Sequence, residues 1–255
     1  MRVAGLVTTL VLTAHGSADP RSAANTRAVA GLLSRLRPGL DVRVAFLEQN
    51  APILGDVLAG LSGTREAVVT PLLLADAYHA RIDIPGQIAR SGAAWSGIDV
   101  RQADALGEND RLVSVLRDRL AGLGVSRLDD ALGVLVVAIG SSDAAANART
   151  AAAAAKLAAG TRWAGATTAF ATRPEPSVAE AASQLRRRGA RRLVIAPWFL
   201  APGRLTDRVW AYARDAGIPM APPLGAHGLV AATVLDRFDQ AVAYRGGLSS
   251  TSKMR

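Results

Sequence analysis

Short apolar runs alternate with longer stretches of helical periodicity along the first half of the chain. The runs Leu10–Thr13, Asp41–Phe46 and Ala67–Leu73 predict buried strands. Between the first two strands, Ser22–Arg37 repeats its apolar residues at the spacing of one helical face, and Pro52–Leu61 predicts a second helix. Strands that alternate with helices are typical of βαβ units. The pattern therefore predicts an α/β fold with a parallel sheet and right-handed crossovers.

The same succession of elements occurs a second time. Four landmarks recur in the same order at offsets between 118 and 126 positions: Gly16 and Gly140, Phe46 and Phe170, Pro71 and Pro197, and Gly107 and Gly225. Ordered matches at a nearly constant offset indicate a tandem duplication. We expect an N-terminal domain over residues 1–126, a duplicated domain over 130–243 and a flexible tail over 244–255.

Composition excludes several kinds of site. The 255 residues are 50% hydrophobic and 20% charged, which suits a packed core, and they include no cysteine. Disulfides, thiolate zinc sites, iron–sulfur clusters and a cysteine nucleophile are therefore excluded. The chain has neither a GxGxxG motif nor a P-loop lysine, so we expect no bound nucleotide. Gly16-Ser17 and Gly140-Ser141 could still cradle a phosphate at a helix N-terminus.

The charge balance favours an anionic partner. Lysine and arginine number 30 against 21 acidic residues, for a net charge of +9. The basic residues are dispersed and aromatic residues make up only 4%, which argues against nucleic-acid binding. The apolar run Val3–Ala14 is interrupted by polar residues, so we interpret it not as a signal peptide but as leading into a buried strand, Thr9–Ala14. We expect a cytoplasmic protein with no membrane partner.

Three chemically active side chains follow predicted strands of the first half. His15 ends the first strand, Glu48 follows the second by two residues, and His79 lies in the loop after the third. Ligands bind at this edge of open parallel sheets, and two imidazoles with a carboxylate can hold a divalent metal or accept protons. The corresponding positions of the second half carry none of these groups: Ile139, Thr172 and Leu205. We therefore expect one site per chain, in the first half.

Three segments together resemble a known family. They are Leu-Thr-Ala-His-Gly-Ser-Ala-Asp-Pro-Arg at 12–21, Val-Ala-Phe-Leu-Glu at 44–48, and 71–85, which contains His-Ala-Arg-Ile-Asp-Ile-Pro. In order and spacing they resemble the CbiX/SirB sirohydrochlorin chelatases, which are class II chelatases, and the resemblance covers both halves. One departure is Ala77-Tyr78, which stands where the family has Gly-Gly.

The resemblance implies two flavodoxin-like domains that face each other across a tetrapyrrole cleft. It implies that His15 and His79 bind metal and accept pyrrole protons, with Glu48 assisting. The reaction would insert a divalent metal into sirohydrochlorin and release two protons, with no nucleotide or redox cofactor. Candidate contacts to this polyanionic substrate lie on loops at the predicted rim: Gly16, Ser17, Arg21, Tyr78, Arg81 and Arg204.

Several interpretations remain open at this point. Insertion of Fe²⁺ to make sirohaem is the first, and insertion of Co²⁺ for cobalamin synthesis is the alternative. His and Glu ligands accept Fe²⁺, Co²⁺ and Ni²⁺, so the residues do not select the metal. A tetrapyrrole or metal carrier would bind without turnover. A basic nucleic-acid-binding module would bind with a steep salt dependence that ignores the histidines. Because both halves lie on one chain, we expect a monomer.

Overall fold

The structure is a computed structural model that describes residues 8–62, 64–93, 97–172 and 175–249. The first half contains β1 Thr8–Ala14, α1 Pro20–Leu36, β2 Val42–Phe46, α2 Leu54–Ala59, β3 Glu66–Pro71, a π-helical turn His79–Asp83, α3 Ile84–Arg90, β4 Asp99–Gln102 and α4 Asp110–Ala121. The second half contains β5 Leu132–Ala138, α5 Ala144–Ala158, β6 Gly165–Phe170, α6 Val178–Arg187, β7 Arg192–Pro197, α7 Arg204–Asp215 and α8 Gly228–Ser249. The predicted strands and helices are all present.

Each half contributes one wholly parallel sheet. The first has the strand order β2-β1-β3-β4 and the second the order β6-β5-β7. The central strands β1 and β5 are almost fully buried, as expected for parallel strands covered by helices on both faces. The α/β class with two parallel sheets is therefore confirmed. In each sheet, the carboxyl ends of the strands meet at one edge.

The strand predicted at Thr9–Ala14 lies within β1, and Val3–Val7 lies outside the described residues. Within β1, the Thr9 hydroxyl donates to the Asp41 carboxylate at 2.9 Å, which satisfies a polar group in the core. Among the residues that the structure describes, no helix is long and apolar enough to cross a membrane.

The chain folds into two compact units. The first contains the described residues up to Leu106 together with those from Ala231 onward, and the second contains Gly107–Val230. Helix α4 therefore lies in the second unit, although in sequence it ends the first repeat. Most of α8 lies in the first unit and continues to Ser249, so the beginning of the expected tail is helical. The sequence repeat and the compact units divide the chain at different places.

Exposed ion pairs also link these two helices to their units, in addition to the apolar side chains that each helix buries. In the first unit, Arg37 on α1 makes two hydrogen bonds of 2.6 Å to Asp239 on α8, which raise the pKa of the guanidinium. In the second unit, the Lys156 ammonium lies 2.8 Å from the Asp110 carboxylate of α4 and lowers its pKa. Each pair therefore joins side chains that are distant in sequence.

Backbone hydrogen bonds at the strand ends recur in the two halves. The bonds come in corresponding pairs: Phe46 N–H to Pro52 and Phe170 N–H to Pro176, each 3.0 Å, and Leu72 N–H to Thr13 at 2.8 Å and Trp198 N–H to Val137 at 2.7 Å. Such a correspondence at equivalent sequence offsets supports the duplication. The correspondence is limited to the strand ends, because the π-helical turn His79–Asp83 follows β3 whereas the α-helix Arg204–Asp215 follows β7.

One buried glycine of the second sheet provides a test of the packing. A Cβ added at Gly133 on β5 would lie 2.8 Å from Ala190 Cβ and 2.8 Å from Leu193 Cδ2, well inside contact distance. We expect Gly133→Ala to lower the free energy of unfolding by about 1–3 kcal/mol, measured by urea unfolding followed by tryptophan fluorescence. Gly228→Ala is the control, because a Cβ there meets nothing within 4 Å. Equal midpoints for the two variants would contradict this packing.

Candidate functional site

The three side chains singled out in the sequence lie next to one another at the edge of the first sheet. His15 follows β1, Glu48 follows β2 by two residues, and His79 begins the π-helical turn after β3. The His15 and His79 ring centroids are 4.1 Å apart at an interplanar angle of 78°. His15 Nε2 lies 3.7 Å from Glu48 Oε1. The strand order places β1 between β2 and β3, which explains why these three loops meet.

The hydrogen bonds of the two imidazoles define which nitrogen is free in each neutral ring. His15 Nδ1 lies 3.0 Å from the Gly16 carbonyl oxygen, and His79 Nδ1 lies 2.6 Å from Asp83 Oδ2. A carbonyl or carboxylate oxygen only accepts, so Nδ1 carries the hydrogen in both rings. Each Nε2 therefore keeps its lone pair available for a metal or a proton.

The His15–Glu48 pair is suited to a cation. The lone pair of His15 Nε2 and a carboxylate oxygen are both acceptors, so a proton or a metal ion between them would satisfy both. Ligand bonds of about 2.0–2.2 Å place neighbouring ligand atoms roughly 3–4 Å apart, which brackets the 3.7 Å separation. Within the described ranges, no three His, Asp or Glu side chains are already gathered as a metal centre. The cluster is thus an open, partly exposed set of ligands.

Gly16 allows the loops after β1 and β2 to touch. Its φ is +98°, and a Cβ at this position would overlap the carbonyl oxygen of Glu48. The same contact includes a 3.1 Å hydrogen bond from the Glu48 N–H to the His15 carbonyl. Gly16 therefore has a structural task that sequence analysis did not identify, whereas its contact with substrate stays a prediction.

Two side chains, the Asn50 amide and the Ser17 hydroxyl, accept hydrogen bonds from the backbone that follows Gly16. The Ser17 N–H donates to Asn50 Oδ1 at 2.7 Å, while the Ser17 hydroxyl accepts from the Asp19 N–H at 3.1 Å. These bonds tie the loop that leads into α1 to the loop after β2. Ser17 therefore lies beside the cluster with its hydroxyl engaged in the turn, and its contact with substrate stays a prediction.

Two glutamines that sequence analysis missed support the site from more distant elements. Gln87 on α3 donates to the carbonyl of Leu47, the residue before Glu48, at 2.8 Å. Gln102 at the end of β4 donates to the carbonyl of Ala80, the residue after His79, at 2.7 Å. No local motif marks these glutamines, because only the folded chain brings α3 and β4 to the loops.

The predicted substrate contacts differ in their placement. Tyr78 is 62% exposed, and its ring centroid lies 5.9 Å from that of His79. Arg21 is paired with Asp19, and Arg81 lies 2.8 Å from Asp76, so both guanidinium groups already have carboxylate partners. Arg204 begins α7 in the second unit and is not part of this first-unit cluster.

The corresponding edge of the second sheet keeps the framework without the ligands. Gly140 has a φ of +94°, and the Thr172 N–H donates to the Ile139 carbonyl at 3.1 Å, just as Glu48 donates to His15. Ile139 is 45% exposed, and Leu205 is partly buried against the hydrophobic core of its unit. The duplicated loops therefore have the same backbone geometry but present apolar side chains and a hydroxyl.

Comparison with known proteins gives one family match and several relatives. The CbiX family model matches residues 9–123 and 133–241, which are the two sequence repeats. A sirohydrochlorin ferrochelatase of Priestia megaterium is 32% identical over 136 residues, covering 51% of this chain and 50% of the relative. A sirohydrochlorin cobaltochelatase of the same organism is 27% identical over 206 residues, covering 76% and 65%. The matches thus span between one half and two thirds of these relatives.

Solved structures match over most of both chains. SirB from Bacillus subtilis, determined with Fe³⁺, has a TM-score of 0.81 at 22% identity and covers 94% of this chain and 97% of its own. A CbiX described as the terminal enzyme of sirohaem biosynthesis in denitrifying bacteria has a TM-score of 0.68 at 25% identity, covering 91% and 99%. These likenesses support the fold.

The close approach at Gly16 generates a prediction with a matched control. Gly16→Ala adds a Cβ that meets the Glu48 carbonyl, whereas Gly39→Ala places a Cβ at a similar φ of +88° with nothing within 4 Å. Both variants suffer the left-handed strain of a non-glycine residue, so their difference isolates the overlap. We expect Gly16→Ala to cost about 1–3 kcal/mol more in the free energy of unfolding, measured by denaturant titration. Equal losses would show that the loops do not touch in this way.

Proposed function

The chain belongs to the CbiX family, and we propose that it is a sirohydrochlorin chelatase that inserts a divalent metal into the macrocycle and releases two protons. The observation that carries this proposal is the pair of imidazoles with free Nε2 atoms beside a carboxylate, all at the carboxyl edge of one parallel sheet. The names of the Priestia relatives support the same reaction.

In the proposed reaction, metal ion and protons move in opposite directions. His15, Glu48 and His79 hold the incoming ion through Nε2 and carboxylate oxygens. As the ion passes to the four ring nitrogens, two pyrrole N–H groups lose their protons. Each protein–metal bond that breaks frees a lone pair on the protein ligand, so the same imidazole and carboxylate can then accept the protons. Holding the macrocycle against the loaded site supplies the proximity that the exchange requires.

The substrate contacts follow from charge and placement. We assign Tyr78 to the macrocycle because its exposed ring adjoins His79, and Arg21 and Arg81 to the substrate carboxylates, for which they would exchange their present acidic partners. Gly16 and Ser17, which lie in the loop after β1, would also contact the substrate. We propose that Arg204, a residue of the second unit, also binds a substrate carboxylate.

For the metal, we propose Fe²⁺, with sirohaem as the product. Co²⁺ for cobalamin synthesis is the second candidate, because the curated relatives include both ferrochelatases and cobaltochelatases. Imidazole and carboxylate ligands accept either ion and also Ni²⁺, so supply in the cell would decide the choice. Action as a monomer in the cytoplasm, without nucleic acid and without a nucleotide or redox cofactor, stays a prediction.

The decisive experiment follows the absorbance of sirohydrochlorin with Fe²⁺ or Co²⁺ under anaerobic conditions. We expect His15→Ala and His79→Ala each to lower the enzyme-dependent rate by at least about 100-fold, because each removes a metal ligand and a base. Ile139→Ala is the matched control, since Ile139 holds the same strand-end position in the second unit. It should retain the rate of the unaltered chain.

Two results would overturn the proposal. Full activity in the variant that lacks both histidines would refute the assignment of the site. Tight binding of sirohydrochlorin with no rate above that of the uncatalysed reaction would instead identify a carrier.

A further inference from the structure

We propose that Asp83 is a positioning residue that fixes the ring and tautomer of His79, so that Nε2 is the nitrogen presented to the metal. Asp83 Oδ2 lies 2.6 Å from His79 Nδ1, four residues earlier in the chain. This inference rests on the proposed function for its role in turnover. Its geometric content, the orientation of one imidazole, can be measured without any tetrapyrrole.

The π-helical turn makes this contact. His79–Asp83 is a five-residue π-helix that closes with a hydrogen bond from the Ile84 N–H to the His79 carbonyl. Ala80 is 3% exposed and Ile84 is fully buried, so one face of the turn is anchored in the core. His79 and Asp83 have side-chain exposures of 46% and 32%, so both remain accessible on the outer face. Short π-helical segments are frequent at functional sites.

The turn is also fixed from outside. Gln102 donates to the Ala80 carbonyl at 2.7 Å, and the Arg81 N–H donates to the Ala77 carbonyl at 3.0 Å. The ring of His15 packs against the ring of His79 with a centroid separation of 4.1 Å. The His79 imidazole therefore lies between a carboxylate on its Nδ1 side and a second imidazole.

The chemistry of the pair explains what Asp83 contributes. A neutral histidine ring in water favours the tautomer with hydrogen on Nε2, which would block that nitrogen as a ligand. A carboxylate accepting from Nδ1 reverses this preference and makes the opposite nitrogen a stronger donor. His15 differs, because its Nδ1 bonds to the neutral carbonyl of Gly16. His79 Nδ1 thus bonds to a charged acceptor and His15 Nδ1 to a neutral one, so His79 is the stronger metal ligand.

Two measurements that need no tetrapyrrole test the inference. The first records the ¹⁵N shifts of the histidine ring nitrogens at about pH 8, where an ordinary imidazole is neutral. The second titrates the protein with Co²⁺ alone. We expect Asp83→Ala to move His79 toward the Nε2–H tautomer, leave His15 unchanged, and weaken Co²⁺ binding by about 10- to 100-fold. Asp83→Glu should restore part of the affinity.

Control variants keep the test independent of folding. Asp56→Ala removes a different carboxylate from the first unit, in the first turn of α2, and should change neither the tautomer nor the Co²⁺ affinity. Asp83→Asn keeps a neutral acceptor of nearly the same shape, so we expect an affinity between those of the unaltered chain and Asp83→Ala. It also serves as the test variant if Asp83→Ala does not fold.

The outcomes separate this inference from the proposed function. If Asp83→Ala and Asp83→Asn keep the Nδ1–H tautomer of His79 and bind Co²⁺ as tightly as Asp56→Ala does, Asp83 has no positioning role. If the expected changes occur but the unaltered chain does not metallate sirohydrochlorin, the positioning role stands and the chelatase proposal fails.

Discussion

The register of β1 within its parallel sheet is the constraint on which the candidate site depends. β1 pairs with β2 and β3 so that Ala14 lies opposite Phe46 and Thr13 opposite Pro71. The residues just beyond these pairs must then leave the sheet side by side, which brings His15 to Glu48 and to the loop before His79. A shift of one residue in either pairing would turn the side chains of one strand to the opposite face of the sheet and move His15 away from the neighbouring loop. The pairing register of β1 therefore positions the site together with the fold.

The duplication separates the framework from the chemistry. Both units keep a left-handed glycine after the central strand and the same hydrogen bond between the first two loops, at Gly16 and at Gly140. Only the first unit carries imidazoles and a carboxylate at these positions. Since the first two loops make the same backbone contacts in both units, their geometry belongs to the fold and does not depend on the side chains that they carry. This is the physical basis for expecting one site per chain.

Sequence patterns predicted the helices and strands. They also predicted that His15, Glu48 and His79 lie close together, because each follows a strand of the same parallel sheet. Contacts between distant elements were not predictable, and Gln87 and Gln102 were missed for this reason. Asp83 stood four residues from His79 in a quoted motif, yet only the π-helical turn shows that the two side chains meet. Placement of α4 and α8 likewise depends on contacts between parts of the chain far apart in sequence, such as the buried apolar faces of the two helices and the Arg37–Asp239 pair.

The proposed function requires that one metal ion binds per chain, at the edge of the first sheet. Anomalous diffraction at the cobalt edge, from crystals of the unaltered protein grown with Co²⁺, locates the ion directly. We expect one peak about 2.0–2.2 Å from His15 Nε2 or His79 Nε2, with Glu48 as a further ligand. A peak at the Ile139 edge of the second sheet, or one that touches none of these three side chains, would contradict it.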